Sequence, residues 1–321
     1  MISKYREQFN EEFSNAKYQE VKDVLAAKAG YEPDFRLSES PVFLSGELRD
    51  KLLDASESII QQIKAMSPNE LKKAVPAQFD VPGDTATPHF LTIDFGICKG
   101  DDGTPEPQLI ELQAFPSLYA FQKDYEETIK AVYPFTSKFN DTLPNNEYFA
   151  LLKETIVGDE NPENVVLLEI YPEKQKTRVD FALTAKHLGI KVLCLTKVIK
   201  QDRKLYYNRN GELVPIHRIY NRVIFDELEK IPNLKTEFDF REDIDVTWVT
   251  HPNWFFKVSK FILPKLEHKY VPKSYFLNEF PAAESLQDFV LKPLFSFAGS
   301  GVNLYPTQSE IDAIADKENY I

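Results

Sequence analysis

Two apolar runs, VVLLEI at 165–170 and IKVLCL at 190–195, flank a helical stretch that closes on Gly189. Runs this short and this apolar read as strands buried on both faces. With the amphipathic segment 176–188 between them they form a β-α-β unit, so the chain is expected to contain a parallel sheet with a right-handed crossover.

The rest of the chain falls into segments of different period. Within the first eighty residues, 15–27 and 45–66 carry apolar positions three and four apart, and Ser67-Pro68-Asn69-Glu70 has the form of a helix cap with Pro at the first helical position. Turn residues crowd 76–88, and from His89 the period becomes two. Leu91, Ile93, Phe95 and Ile97 are expected on one face of a strand, with Thr92, Asp94 and Gly96 on the other. After the turn Gly100-Asp101-Asp102-Gly103 a second strand is expected to place Ile110, Leu112 and Ala114 on one face and Glu111 and Gln113 on the opposite one. Further on, 202–216 reads as a hairpin around Asn208-Arg209-Asn210-Gly211 and 219–224 as a strand. The last section reads as a helix at 258–266, an extended segment at 270–276, a strand at 288–292, a glycine-bearing loop, a strand at 302–305 and a helix at 309–315.

Charge and cysteine content narrow the function classes. Thirty-eight Lys and Arg against 50 Asp and Glu give a net charge of −12, which disfavours a nucleic-acid partner because duplex binding needs clustered cations. No run of about 18 apolar residues is present, so no membrane partner is expected. Two cysteines, Cys98 and Cys194, are too few for a disulfide framework, and a reducing, cytoplasmic setting is the expectation.

Two places could carry chemistry. On the hairpin, alternation and antiparallel pairing bring Asp94 toward Glu111 and Gln113, an oxygen-donor set suited to a hard cation such as Mg²⁺. Polar alternation is also the ordinary appearance of a solvated sheet face. Near the end of the chain, Lys292 leaves an apolar run and is followed by a loop, 294–301, with Gly299, Ser300 and Gly301. An ammonium and backbone N–H groups so placed can surround a triphosphate, although the lysine precedes the glycines and the order is not that of a Walker loop. Arg222, which with Asn221 follows the run Ile216-His217-Arg218-Ile219-Tyr220, could take a carboxylate or phosphate, a surface ion pair being the alternative. The five histidines lack zinc-type spacing, and there is no G-x-S-x-G nucleophile elbow.

These segments together resemble the ATP-grasp amide ligases of the glutathionylspermidine synthase type. His251-Pro252-Asn253-Trp254, the run Ser259-Lys260-Phe261-Ile262-Leu263-Pro264-Lys265-Leu266 and Val290-Leu291-Lys292-Pro293-Leu294 follow that family's order of motifs. Upstream, Asp94-Phe95 and Leu109-Ile110-Glu111-Leu112-Gln113-Ala114-Phe115-Pro116-Ser117-Leu118 are similar to its metal-binding stretch, with Gln113 where the family has asparagine. The 295–301 loop and the shortened Phe115-Pro116 depart from the family pattern.

The resemblance implies an α/β, circularly permuted ATP-grasp-like fold with a helical N-terminal region, a β-hairpin metal site and a β-α-β pre-ATP-grasp-like unit. The corresponding segments are 1–160, 161–247 and 248–321. Asp94, Glu111 and Gln113 would hold Mg²⁺. ATP would be bound by Lys260, Lys292, Gly299, Ser300 and Gly301, and Ser117 and Arg222 would contact substrate. No covalent nucleophile is implied, and the partners would be a small-molecule carboxylate and an amine. The same likeness places an adenine-holding strand just beyond Ile321, so the chain is expected to be a ligase lacking its last section. A nucleotide-binding protein of this fold without turnover is the alternative.

Overall fold

The computed structural model describes residues 2–139, 143–296 and 299–321. The chain forms two compact units, each drawn from three separated stretches. One comprises Met1–Leu44, Val81–Phe90 and Phe115–Pro252, and the other Ser45–Asp80, Leu91–Ala114 and Asn253–Ile321.

The second unit is built on an antiparallel hairpin, β1 (Thr92–Lys99) and β2 (Pro105–Gln113). The expected facing holds for Leu112 and Ala114, which are buried, and fails for Ile110, which is 46% exposed while its neighbour Leu109 is buried. A β-bulge is the reason. Asp94 pairs with Glu111 but Phe95 pairs with Leu109, so Ile110 has no partner and the burial alternation inverts there. On the other strand Ile97 is exposed at the outer end of the hairpin.

The helix Gly46–Ala65 begins at Ser45, whose hydroxyl accepts from Leu48 N–H at 3.2 Å, and contributes Leu48, Ala55 and Ile59 as its buried side chains. Ile59, Leu109, Leu112, Trp254 and Ile262 meet in this unit's core. Three expectations are corrected here. The segment 258–266 is a 3₁₀ helix, Lys260–Lys265, following one helical turn at Trp254–Lys257; Pro264 within it offers no N–H for an α-helical bond. The runs 288–292 and 302–305 meet in a single bridge, Leu291 with Asn303, because Pro293, two residues on, lacks the donor for the next one; Pro293 is itself bridged to Tyr320. Around Tyr320 the chain pairs closely with this segment: Lys292 N–H donates to Ile321 O at 2.8 Å and Ile321 N–H to Lys292 O at 2.9 Å.

The first unit holds the expected parallel sheet. Strands β3 (Val165–Glu169) and β4 (Lys191–Cys194) are parallel and joined through the helix Arg178–Leu188, which ends on Gly189 at φ 75°. A second three-stranded antiparallel sheet, β5 (Val198–Gln201), β6 (Lys204–Arg209) and β7 (Glu212–Ile216), contains the expected hairpin. The chain then returns to the parallel sheet as β8 (Arg218–Asn221) and β9 (Thr247–Val249), giving the order β4-β3-β8-β9. The switch of direction therefore lies between β3 and β8, where open α/β sheets present their carboxyl ends to ligands. Val165, Leu167, Phe181, Leu183 and Tyr220 are among the residues of this unit's core.

Among the described residues no helix is long and apolar enough to cross a membrane. Leu168, fully buried on β3 between β4 and β8, tests this packing. Leu168→Ala should destabilise the protein by about 2–5 kcal/mol in urea unfolding, the usual cost of a core cavity. A loss under about 1 kcal/mol would mean that the strand is not the packed centre described.

Candidate functional site

The hairpin register sets the geometry of the second unit's polar cluster. Asp94 lies directly opposite Glu111 across the two strands, and Gln113 lies opposite Thr92 two pairs further on, past Ile93 and Leu112. Burial, and then the Glu111 carboxylate, push the Asp94 carboxyl above its usual range. Such a like-charged pair favours a cation between its members.

One cation is already beside it. Lys260, buried at the first position of its 3₁₀ helix, has Nζ 3.3 Å from Glu111 Oε2 and donates to the Ser296 carbonyl at 2.7 Å. Ser259 Oγ caps that helix by accepting from Phe261 N–H at 3.2 Å, which fixes where the lysine emerges. Lys292 approaches the same strand, and its Nζ donates to the Ile110 carbonyl at 3.3 Å. Burial lowers the affinity of Lys292 for its proton; Glu111 opposes that shift and Lys260 adds to it. The mutual influence places Asp94, Glu111, Lys260 and Lys292 in one electrostatic cluster.

Two cavities adjoin the cluster. A small one of about 30 Å³ is lined by Glu111, Gln113, Lys260 and Ser296 among others. A larger, mainly apolar one of about 240 Å³ has Ile110, Val290, Lys292 and Ile321 in its wall, with Tyr275 and Phe289 further in. Gly299, Ser300 and Gly301 are not in the wall of either; they form an exposed turn. Gly301 sits at φ 73°, and a Cβ there would lie 2.7 Å from Pro293 Cγ, so only glycine fits. Phe297 and Ala298 of the same loop lie outside the described residues.

Ser117 and Arg222 belong to the first unit. Ser117 is half-buried just before the helix Tyr119–Val132. Arg222 follows β8, is 5% exposed, and its backbone N–H donates to Leu168 O at 2.9 Å. The guanidinium stands over the rings of Phe115 and Phe181 at 4.8 and 5.4 Å, and its Nε and Nη1 are buried without a hydrogen-bond partner.

Two acids missing from the expected set share this environment. Glu169 ends β3, accepts from Ile170 N–H at 2.8 Å, and is pushed up to about 7 by burial against the opposing pull of Arg222. Asp180, fully buried, accepts from Phe121 N–H at 3.0 Å with its other oxygen unpartnered; burial raises it as well, again against Arg222. The only trace of Glu169 in the sequence is a lone acid inside an otherwise apolar strand.

Among the described residues no group of three or more His, Cys, Asp and Glu side chains is arranged to hold a metal ion. The hairpin offers two carboxylates and an amide instead.

No protein-family model matches the chain, and no curated protein matches it by sequence. Its structure is similar to that of a glutathione synthetase-like effector from Globodera pallida, solved in the apo form. The match covers 95% of this chain and 79% of that one at 11% identity, with a TM-score of 0.57. The two share a mixed α/β fold.

The raised Glu169 fixes the sign of one pH effect. Its carboxyl holds its proton to about pH 7 when folded, whereas an unfolded glutamate ionises near pH 4.3, so the native state carries more protons between those values. Stability should therefore fall as pH rises through that window and level off above it, with a ceiling on the order of 3 kcal/mol from this group. Glu169→Gln should flatten the slope in urea titrations from pH 4 to 8; an unchanged slope would exclude Glu169 as the source.

Proposed function

We propose that the chain is an ATP-dependent carboxylate–amine ligase of the glutathionylspermidine synthase kind, working through an acyl phosphate. The observation that carries this reading is the meeting of the hairpin acids with both lysines: Glu111 pairs with Lys260, and Lys292 bonds to the residue before Glu111. The fold shared with a glutathione synthetase-like protein supports it.

Asp94, Glu111 and Gln113 would hold Mg²⁺, and the mutual repulsion of the two carboxylates fits a divalent cation. Bound there, the metal would neutralise charge on the transferring phosphoryl group. Lys260 and Lys292 would grip the phosphates, Lys260 exchanging Glu111 and Ser296 for phosphate oxygens. The apolar cavity beside Lys292 would take the adenine, and the Gly299-Ser300-Gly301 turn would cover the phosphates and exclude water. In the first unit Arg222, with two unpartnered N–H groups, would bind an anionic group of the acid substrate, and Ser117 would assist.

The carboxylate oxygen attacks the γ-phosphorus, the bond to the β-bridging oxygen breaks, and ADP leaves. The amine then attacks the acyl carbon, the C–O bond to phosphate breaks, and inorganic phosphate departs as the amine nitrogen loses a proton. No side chain becomes covalently attached.

Gln113 in the metal set and the position of the glycine turn outside both cavities favour a second reading, binding without turnover. Isothermal titration with MgATP, alongside ADP release over a panel of acids and amines, separates the two. Lys292→Ala and Glu111→Ala should each weaken MgATP at least tenfold, about 1.4 kcal/mol. Binding without ADP release in any pairing favours the second reading, and no binding by the wild type removes both.

A further inference from the structure

The bulge in β2 does more than correct a facing. Deleting Ile110 on paper leaves Leu109 paired with Phe95 and Glu111 with Asp94, a regular hairpin that buries the same neighbours. The extra residue is therefore not needed to fill the core. What it adds is one further peptide unit whose residue pairs with nothing on β1.

The backbone on this side of the bulge has particular destinations. Leu109 N–H donates to Tyr270 O at 2.7 Å, and Ile110 C=O accepts from Lys292 Nζ at 3.3 Å. One residue later, Glu111 Oε2 lies 3.3 Å from Lys260 Nζ. Two consecutive residues at one irregularity thus hold two ammonium groups, one by a main-chain oxygen and one by a carboxylate. A long, strongly hydrated lysine side chain has no reason to remain half-buried beside a second cation unless something retains it.

We propose that Ile110 is a positioning residue for Lys292: the bulge turns a main-chain carbonyl out of the ladder to hold that ammonium at a fixed offset from Lys260. The purpose of the offset, to span two phosphates, rests on the ligase reading. The placement does not, and it can be measured without any nucleotide.

Ile-Glu occurs once in the sequence, at Ile110-Glu111. Labelling isoleucine carbonyls with ¹³C and glutamate nitrogens with ¹⁵N therefore gives a single two-dimensional NMR correlation that reports the Ile110 carbonyl. Lys292→Met should shift this carbonyl upfield, as expected for a lost hydrogen bond, and Lys260→Met should shift it less. A carbonyl that does not respond to Lys292→Met overturns the proposal, whether or not the protein binds nucleotide.

A second arm reads the consequence. Deletion of Ile110, which also lines the cavity proposed for the adenine, should weaken MgATP about tenfold in the wild-type background and clearly less once Lys292 is Met. Equal loss in both backgrounds overturns the positioning role. If the wild type binds no MgATP, the ligase reading fails on that result and the carbonyl shift alone decides the placement.

Discussion

The second unit's polar cluster turns on Glu111. It faces Asp94 across the hairpin, pairs with the buried Lys260 and shapes the proton affinity of Lys292. A carboxylate among such neighbours is held by opposing demands: a like charge on one side, two cations on the other. Asp94, opposite it, is pushed above the normal carboxylate range by burial and then by the Glu111 charge. The hairpin acids thus feel each other's charge as well as that of the lysines, which is why no member of the cluster titrates independently of its neighbours.

The regular part of this architecture was legible in the chain. Alternation at 91–97 and the apolar runs at 165–170 and 190–195 report facing and depth directly, and the hairpin and the parallel β3–β4 pair followed from them. The bulge interrupts that alternation, so one register does not run through 109–115. Its signal is present: Leu109 and Ile110 are adjacent apolar residues, and the buried positions pass from odd numbers, Pro107 and Leu109, to even ones, Leu112 and Ala114. A phase change inside one strand is what an inserted residue produces. Glu169 and Asp180 escaped for another reason, since their importance comes from burial beside Arg222, which is a property of the folded chain and not of any local spacing.

The motif 251–254 shows how a pattern shared with a ligase family can have a structural explanation. His251 Nε2 lies 3.1 Å from Pro82 O, and Asn253 Nδ2 donates to Asp80 Oδ1 at 2.9 Å. Each fixes a turn of the 76–88 stretch within its own unit, and both side chains are buried. These residues carried part of the sequence resemblance, yet their contacts are those of a scaffold. Lys260, a few residues on, is the side chain that the same stretch delivers to the hairpin.

The first unit poses the complementary problem. Arg222 brings a permanent charge among Phe115, Phe181 and two acids that burial drives toward their neutral forms. Were both acids ionised, the guanidinium would be fully compensated and would offer little to a ligand. Their raised proton affinities leave it under-neutralised near neutral pH, with two N–H groups unpartnered at the carboxyl ends of β3 and β8. A buried arginine in that condition costs the core stability while leaving its N–H groups without a protein acceptor. As pH rises past the value at which Glu169 ionises, compensation becomes internal and the pull on an anion weakens. The same titration that lowers stability toward pH 7 thus also changes how far the Arg222 charge is balanced by its own neighbours.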